Sequence, residues 1–431
     1  MTDLVNYNTK TGDWMLAIHR VTAHSAEIWF GTLCPTLKKP ERARLVLMDA
    51  TGKDVAQFVL TSDQWQRPFS RLNQRFCALH RFDGLAAGTH YLVRFDRLLP
   101  LEANLGDAAW QDVCSGEFAT LPATLPMDGS GQFTVAFCSC FYSQNDGGQA
   151  AAAYKRLFKQ GPAQVRPDIT FMTGDQVYLD IGLDSISFDG EEIWQRIAGD
   201  YERNWRLLGE FMRHGGTWML PDDHEFWNDY PFYESPLPTL WPLHVDHVRK
   251  AWSNAARDAV ANIQRSPSVE SFSIGPSLSF CLADFRSHRN DDGFIDEAGM
   301  QAIENWARSL KTPGVFVTSQ VLMDEPTGLE KNLTHFRAQY TRLIAALAAS
   351  GHDIVLLTGD VHFGRIGIAP LGHSGARLIE VVSSPLSNLT GLNGLAVAKA
   401  KAEPARFPPY GDSQPIQYDT EHFVSWEKGD K

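Results

Sequence analysis

The sequence of 431 residues contains no long hydrophobic run, and its longest apolar stretches, such as IVLLTG and FTVAFC, have the length of β-strands. It therefore offers no membrane-spanning helix. Basic residues are also in deficit, because 39 lysines and arginines face 51 aspartates and glutamates, which gives a formal net charge of −12. An acidic surface repels phosphate backbones, so we expect no specific nucleic-acid partner. A single pocket can still be positive, so a small phosphorylated substrate is compatible with this balance.

Cysteine is sparse as well. The six cysteines are scattered, apart from Cys138 and Cys140 in the FCSC segment, and do not form the framework of a disulfide-stapled domain. The N-terminus lacks the basic stretch and apolar core that are typical of a signal peptide. As written, the chain is expected to be cytoplasmic, whereas a precursor with a removed leader would be periplasmic or secreted. The sequence leaves the oligomeric state open.

The first part of the chain, residues 14–122, has the pattern of a β-sandwich. Short alternating segments such as SAEIWF, ARLVLMD and THYLVRF are separated by Gly, Pro and Asp turns. The segment LAAGTHY resembles the tyrosine corner of fibronectin-type and immunoglobulin-like sandwiches, in which a hydroxyl, here that of Tyr91, bonds back to the loop backbone. We therefore predict an immunoglobulin- or fibronectin III-like domain at 14–122, followed by a Pro- and Gly-containing linker at 123–132.

Residues 133–431 have a different pattern, in which short apolar strands alternate with helical segments. FTVAFC, DITFMTG, TWML, GVFVTS and DIVLLTG are typical of buried strands. Helical spacing recurs at about 191–214, 243–263, 298–310 and 335–349. This alternation predicts a layered α/β domain, in which functional residues follow directly after the strand ends.

Polar clusters follow four of these predicted strands. They are Cys138-Ser139-Cys140, Gly174 to Asp180, Pro221 to Tyr230, and Gly359 to His362. Taken singly, each cluster could be a turn or a helix cap, and a lone histidine is more often structural. Taken together, converging carboxylates repel one another unless a cation neutralises them, so the clusters predict a metal site.

At these residues the sequence resembles the calcineurin-like metallophosphoesterases, and within them the PhoD-like (alkaline phosphatase D) family. GDQVYLD is similar to that family's GDxxY motif and PDDHEFWNDY to its DDHE segment. LTGDVHFG is similar to its TGDVH segment and LADFRSHR to its D-x-R-x-x-R segment. The resemblance extends from Trp14 to Phe423. It implies a β-sandwich followed by a layered α/β/β/α metallophosphatase domain at 133–431.

The resemblance further implies a first metal position with mixed donors. A thiolate, a bridging carboxylate, a phenolate and an imidazole would come from Cys140, Asp175, Tyr178 and His362. Thiolate and phenolate are anionic donors that suit Fe³⁺ better than magnesium or calcium.

A second metal position would use oxygen donors only. By the same resemblance these are Asp175, Asp223 and Asp360. A hard divalent ion prefers such a set, so Ca²⁺ is expected, with Mn²⁺, Mg²⁺ or Zn²⁺ as alternatives. Asn228 and Gln320 are further candidate ligands, although an asparagine in a loop is more often a turn former.

The activity implied by this family is hydrolysis of a phosphate monoester or diester. Two cations bridged by Asp175 would lower the pKa of a bound water, so that a metal-bound hydroxide attacks phosphorus. His224 adjoins the ligand Asp223 and could protonate the leaving oxygen as a general acid. Arg286 or Arg289 could hold a phosphate oxygen or, equally, form a salt bridge to a neighbouring carboxylate.

Three alternatives remain open. Phosphodiesterase or phospholipase-type activity could be the main role, because the Pro- and aromatic-rich segment at 231–242 could form a stiff apolar rim for an organic group. Cys138 and Cys140, one residue apart on an extended strand, would face the same side and could act as a thiol redox pair. The protein could also be a non-catalytic metal-binding module, although a retained His224 beside a complete ligand set argues against that function.

Overall fold

A computed structural model describes residues 13–99, 110–125, 132–182, 185–234, 238–326, 331–387 and 403–419. Its strands are β1 (Met15–His19), β2 (Ser25–Thr32), β3 (Arg42–Asp49), β4 (Asp54–Thr61), β5 (Phe76–Asp83), β6 (His90–Leu98), β7 (Trp110–Ala119), β8 (Val135–Cys138), β9 (Ile169–Thr173), β10 (Gly216–Leu220), β11 (Val269–Ile274), β12 (Leu278–Ala283), β13 (Gly314–Val317), β14 (Ile354–Thr358), β15 (Arg365–Pro370), β16 (Arg377–Val382), β17 (Arg406–Phe407), β18 (Gln414–Pro415) and β19 (Gln417–Tyr418). Its α-helices are α1 (Ser143–Asp146), α2 (Gln149–Gln160), α3 (Gly190–Met212), α4 (Asp246–Ala259), α5 (Glu297–Ser309) and α6 (Arg337–Ala349). Among the described helices, none combines the length and the apolar character that crossing a bilayer would take.

The N-terminal strands form two facing sheets, as the alternating pattern predicts. Strands β5, β2 and β1 lie in one, and the other is a four-stranded antiparallel sheet in the order β4-β3-β6-β7. Aromatic rings fill the space between them, for example Phe30 and Phe95, whose centroids are 5.0 Å apart. The Tyr91 hydroxyl accepts a hydrogen bond from the backbone N–H of Ala86 at 3.0 Å. The predicted sandwich and its tyrosine corner are therefore confirmed.

The sandwich is joined to the rest of the protein by a shared sheet as well as by the chain. Strand β1 pairs with β2 on one edge and, in parallel, with β10 on the other, where His19 faces Thr217. The resulting six-stranded sheet has the order β5-β2-β1-β10-β9-β8. One apolar core accordingly contains both Ile18 and Trp218. The linker proposed at 123–132, which lies partly outside the described residues, thus connects two units that share a sheet and a core.

The second half of the chain has four layers. A seven-stranded sheet in the order β11-β12-β13-β14-β16-β15-β19 packs against the six-stranded sheet. Phe171 and Phe280 meet between the two sheets with ring centroids 5.8 Å apart. Helices α3 and α4 cover the outer face of the first sheet, and α5 and α6 cover that of the second. This is the α/β/β/α arrangement that the resemblance implies, so the fold class is confirmed.

Helix α3 illustrates how the sequence builds one of these layers. The Asp189 side chain caps its first turn by accepting hydrogen bonds from the N–H groups of Glu191 and Glu192 at 2.7 and 3.1 Å. Apolar side chains then recur at helical spacing and are buried on one face: Ile193, Trp194, Ile197, Tyr201, Trp205, Leu208 and Met212. That face packs on the first sheet and fixes the helix over it.

Parallel pairing brings the strand ends to one edge of the molecule. Strands β8, β9 and β10 run parallel, as do β12, β13, β14 and β16. The loops at their carboxyl ends are in contact, because the N–H of Cys140 donates to the carbonyl of Gly174 at 3.0 Å. The N–H of Asp360 likewise donates to the Ser139 hydroxyl at 3.2 Å. The predicted polar clusters lie on these loops.

His19, where the two units share their sheet, is buried and makes stability depend on pH. Burial lowers its pKa from 6.5 to about 4, because the interior disfavours the imidazolium ion. Unfolding therefore takes up a proton between these two pH values. The contribution of neutral His19 to stability is complete above pH 6.5 and is lost as the pH falls through 4.

We expect a His19→Gln variant to lose less stability in acid than the unaltered protein. Glutamine does not titrate but can still donate to the Thr217 carbonyl, which lies 3.2 Å from Nδ1 of His19. Between pH 7 and pH 5 the unfolding free energy of the unaltered protein should fall by about 2 kcal/mol more than that of the variant. Urea unfolding followed by tryptophan fluorescence at both pH values measures it. Equal acid sensitivity of the two proteins would contradict the prediction.

Candidate metal centre

Close approach of two loops shapes the site. A Cβ atom added to Gly174, which has φ +99°, would lie 2.7 Å from the Cβ of Asp222. At Gly359 an added Cβ would overlap the Ser139 hydroxyl. Glycine at these positions therefore lets the loops after β9 and β14 pack against their neighbours.

Five non-glycine residues of the site have left-handed backbone conformations, with φ between 57° and 69°: Cys140, Asp175, Asp229, Asp360 and His362. Elsewhere in the described chain only Arg20 and Arg265 have positive φ without being glycine. Such conformations cost about 1 kcal/mol or more each and concentrate at functional sites. Backbone strain thus marks the same edge of the sheets as the sequence motifs.

The residues predicted for the first metal position come together. Cys140 Sγ lies 3.3 Å from Oδ2 of Asp175, and the Tyr178 hydroxyl lies 3.1 Å from Nε2 of His362. Burial raises the pKa of the Tyr178 hydroxyl well above its usual range, and Cys140 and Asp175 add to the effect. Burial and Asp175 raise the pKa of the Cys140 thiol in the same way. A bound cation would reverse both shifts, because it stabilises the deprotonated donors.

Four carboxylates meet beside this set: Asp175, Asp222, Asp223 and Asp360. One oxygen from each lies within 4.8 Å of the others. Burial raises the pKa of Asp175 and of Asp360 well above the ordinary value, and the neighbouring carboxylates add to it. Oδ2 of Asp222 and Oδ1 of Asp223 are buried without a hydrogen-bond partner. Buried carboxylate oxygens without partners are costly, so this donor set fits a cation.

Asp222 is a site residue that the sequence analysis did not single out. Its Oδ1 accepts a hydrogen bond from Nε of Arg286 at 2.7 Å, and the same guanidinium donates to the Tyr230 carbonyl at 3.0 Å. Arg286, 64 positions away in the chain, is therefore held as a salt-bridge partner of Asp222. The available signal was its position beside the predicted ligand Asp223, directly after strand β10 ends at Leu220.

Arg289 has a different environment. Its guanidinium donates to neutral oxygens, the carbonyls of Phe285 and Lys331 at 3.2 and 3.1 Å and the Gln320 side chain. Burial and the charge of Arg286 lower its pKa to about 9. Among the described residues no carboxylate hydrogen-bonds to Arg289, although Asp222, Asp229 and Asp223 attract its charge. Gln320 is engaged by Arg289, and its role as a metal ligand stays a prediction.

His224 is buried and paired with a carboxylate. Its Nδ1 lies 2.7 Å from Oδ1 of Asp180, whose other oxygen accepts the backbone N–H of Asn228 at 2.8 Å. Burial alone would lower the pKa of His224, but Asp180 and Asp223 outweigh it and raise the pKa well above its ordinary value. A ring nitrogen of His224 also lies within 4.8 Å of the oxygens of Asp175 and Asp223. The ligand role of Asn228 stays a prediction, and Asp180 is a partner that the motifs alone did not reveal.

Cys138 and Cys140 do not share a face. Cys138 ends β8 and packs in the apolar core beneath α3, whereas Cys140 contacts Asp175. Both are free thiols. The structure differs from the expectation because the strand stops at Cys138 and the backbone turns at Cys140, where φ is 59°. The interpretation as a thiol redox pair thereby loses its geometric basis.

The two packed sheets and their outer helical layers form a fold that is shared with two solved phosphatase structures. The solved structure of PhoD has a TM-score of 0.63 to this chain at 18% sequence identity, with 88% of this chain and 77% of PhoD covered. Purple acid phosphatase PPD1 from yellow lupin (Lupinus luteus) seeds has a TM-score of 0.55 at 13% identity, with 94% and 68% covered. No family model and no curated protein matches the sequence. The expected resemblance to PhoD-like metallophosphoesterases is thus confirmed at the level of the fold.

Proposed function

We propose that this protein is a metal-dependent phosphoric ester hydrolase of the alkaline phosphatase D type. The observation that carries the proposal is the meeting of four carboxylates, two with unpartnered buried oxygens, beside a thiol, a phenol and an imidazole. Such a concentration of like charge in a protein interior requires cations. The folds of PhoD and of a purple acid phosphatase support the same class of enzyme.

The donor chemistry indicates which ions would bind. Fe³⁺ would be held by the mixed set of Cys140, Asp175, Tyr178 and His362. Ca²⁺, or alternatively Mn²⁺, Mg²⁺ or Zn²⁺, would be held by the oxygen set of Asp175, Asp222, Asp223 and Asp360. When bound, such ions lower the pKa of a coordinated water and neutralise charge that develops on a phosphoryl group.

The protein's own residues supply the remaining steps. As water oxygen bonds to phosphorus, the bond from phosphorus to the leaving oxygen breaks, and His224 would give that oxygen a proton. Asp180 holds Nδ1 of the ring, which leaves Nε2 to act as the donor. Arg289 would bind a phosphoryl oxygen, because its hydrogen-bond partners among the described residues are neutral oxygens. Arg286 would instead position Asp222.

Hydrolysis of 4-nitrophenyl phosphate and of bis(4-nitrophenyl) phosphate tests the proposal, with protein purified without chelator. We expect turnover of at least one ester, loss of turnover after chelation, and recovery when iron and calcium are returned. If neither ester is hydrolysed with both ions supplied, the proposed activity on simple esters is refuted. The ratio of the two rates distinguishes a monoesterase from a diesterase.

Phosphodiesterase or phospholipase-type activity is a second candidate, supported by exposed apolar side chains in two segments that follow site residues along the chain. Trp241, in the 3-10 segment Pro238–His244, is 72% exposed, and Phe188 is 52% exposed. The segments that carry them are in contact, because the Ser185 hydroxyl donates to the Thr239 carbonyl at 3.5 Å. Each segment follows site residues in the sequence: Phe188 comes after Asp180, and Trp241 comes after the turn at Asn228 to Tyr230. A second organic group on phosphate could pack on such a rim.

If this rim binds a second ester group, Trp241→Ala should raise KM for bis(4-nitrophenyl) phosphate about tenfold. That factor corresponds to about 1.4 kcal/mol of lost aromatic contact. KM for glycerol 2-phosphate should not change. Steady-state kinetics with both substrates measure the effect, and Leu157→Ala, an exposed apolar side chain on α2, is the matched control. An unchanged KM for the diester would assign Trp241 no part in substrate binding.

A further inference from the structure

Glu225 is a buried residue behind the carboxylate cluster that the proposed chemistry does not use. Its side chain has no exposed surface. Its oxygens accept hydrogen bonds from three successive N–H groups in the loop after β9, those of Asp175, Gln176 and Val177, at 2.9, 2.6 and 3.2 Å. They also accept the N–H of Asp222, in the loop after β10, at 2.8 Å. One carboxylate therefore ties together two loops that carry clustered carboxylates.

A second buried side chain completes this arrangement. Gln264 ends the π-helical turn Val260–Gln264, which follows α4. Its Nε2 donates to Oε1 of Glu225 at 3.1 Å and to Oε1 of Gln176 at 3.0 Å. Turns of π-helix are rare and occur often at functional sites. Here the turn brings an amide donor to Glu225.

The donors around Glu225 suit a carboxylate and no other side chain of the same size. Five N–H groups point at its two oxygens, and an ionised carboxylate only accepts hydrogen bonds. A glutamine would place an NH₂ group against at least one of these donors. These five donors therefore require a side chain at position 225 that only accepts hydrogen bonds, as a carboxylate does.

The two loops need to be held. Asp175 has a left-handed backbone with φ 57°, and its carboxylate lies within 4.8 Å of that of Asp222. Repulsion between the two carboxylates favours separation of the loops. The strained backbone at Asp175 persists only if its surroundings hold it in place. Hydrogen bonds to an ionised acceptor are stronger than neutral ones and oppose that separation.

We propose that Glu225 is a positioning residue for the metal centre, which holds the backbone at Asp175 and Asp222 so that their carboxylates meet at a cation. The proposal rests on the proposed function, because the ions concerned are those of the hydrolase. Gln264 supports Glu225 through the hydrogen bond that its Nε2 donates. Neither residue contacts the substrate in this scheme.

Calorimetric titration of chelator-treated protein with Ca²⁺ alone, and then with Mn²⁺ alone, tests the proposal. Glu225→Gln should weaken the affinity about 10- to 100-fold, as loss of a residue that orients metal ligands commonly does. Turnover of the variant should recover at high metal concentration. Ile303→Ala is the control, because it removes a fully buried side chain on α5 and lowers the melting temperature without touching either loop. Its metal affinity should stay within twofold of the unaltered protein.

Gln264→Met gives a second measurement in case Glu225→Gln does not fold. This variant removes one of the five donors and should weaken metal affinity about threefold. If the unaltered protein binds both ions and each folded variant binds them equally well, the positioning role of Glu225 is overturned and the proposed function stands. If the unaltered protein binds neither ion, the proposed function fails and this inference falls with it.

Discussion

Replacing His224 by asparagine should lower turnover by about 10² to 10⁴-fold and leave the metal content unchanged. The expected loss equals the rate factor that a positioned general acid typically contributes. The loss should be larger for an alkyl phosphate than for 4-nitrophenyl phosphate, because nitrophenolate leaves without needing a proton. Steady-state rates with both esters, together with metal analysis by mass spectrometry, measure these effects.

Asp180→Asn is the companion variant. It removes the carboxylate that lies 2.7 Å from Nδ1 of His224 but leaves the imidazole in place. A smaller loss of turnover, about 10-fold or more, with the same dependence on the leaving group, would support a role in orienting the ring. If His224→Asn instead loses a metal ion, the histidine is a ligand, which its position within 4.8 Å of Asp175 and Asp223 would also allow.

Asp360→Asn should have opposite effects on stability with and without metal. Without metal, burial and the neighbouring carboxylates raise the pKa of Asp360, so its ionised form destabilises the fold at pH 8. Removing that charge should stabilise the chelated protein by about 1 kcal/mol or more. With metal, the unaltered protein should gain about 3 kcal/mol at a hundredfold excess of ion over Kd, and the variant should gain less. Melting temperatures of both proteins, measured with chelator and with Ca²⁺, show whether the order of their stabilities reverses.

The pH dependence gives the same prediction a second test. A carboxyl group whose folded pKa is raised contributes stability below its unfolded pKa of 3.8, and that stability is lost as the pH rises through the folded pKa. The advantage of Asp360→Asn without metal should therefore shrink on acidification. Asp168→Asn is the control, because that half-buried residue also has a raised pKa but accepts a hydrogen bond from the Thr134 N–H. A chelated Asp360→Asn protein that melts below the unaltered one would contradict the argument.

The sequence was sufficient for the parts of the site that depend on strand order. Short apolar runs ending in Gly-Asp or Asp-Asp-His could be recognised as parallel strands, and parallel strands bring such ends together. Cys140 and Asp175 therefore meet as expected, and so do Tyr178 and His362. The left-handed conformations of Cys140, Asp175 and His362 could not be predicted, because only a small share of non-glycine residues of any type adopts them.

The parts that could not be predicted depend on distant partners. Arg286 could have paired with a phosphate or with any nearby acid, and only the folded chain brings Asp222 to its Nε. Strands β5 and β15 were not singled out, because polar residues interrupt FCALHRFD and glycine and proline interrupt RIGIAP. The parallel pairing of β1 with β10 joins His19 to Thr217, 198 positions apart, and no local pattern encodes such a partner.

That pairing has a consequence for any attempt to isolate the second half of the chain. A fragment that starts at residue 133 would leave one edge of the apolar strand β10 without its neighbour β1. Open strand edges with apolar flanks recruit other chains. Such a fragment is expected to associate or precipitate even if every metal ligand is present. Strands β1, β2 and β5 are therefore a structural part of the sheet whose loops carry the clustered carboxylates, and they cannot be exchanged like an independent module.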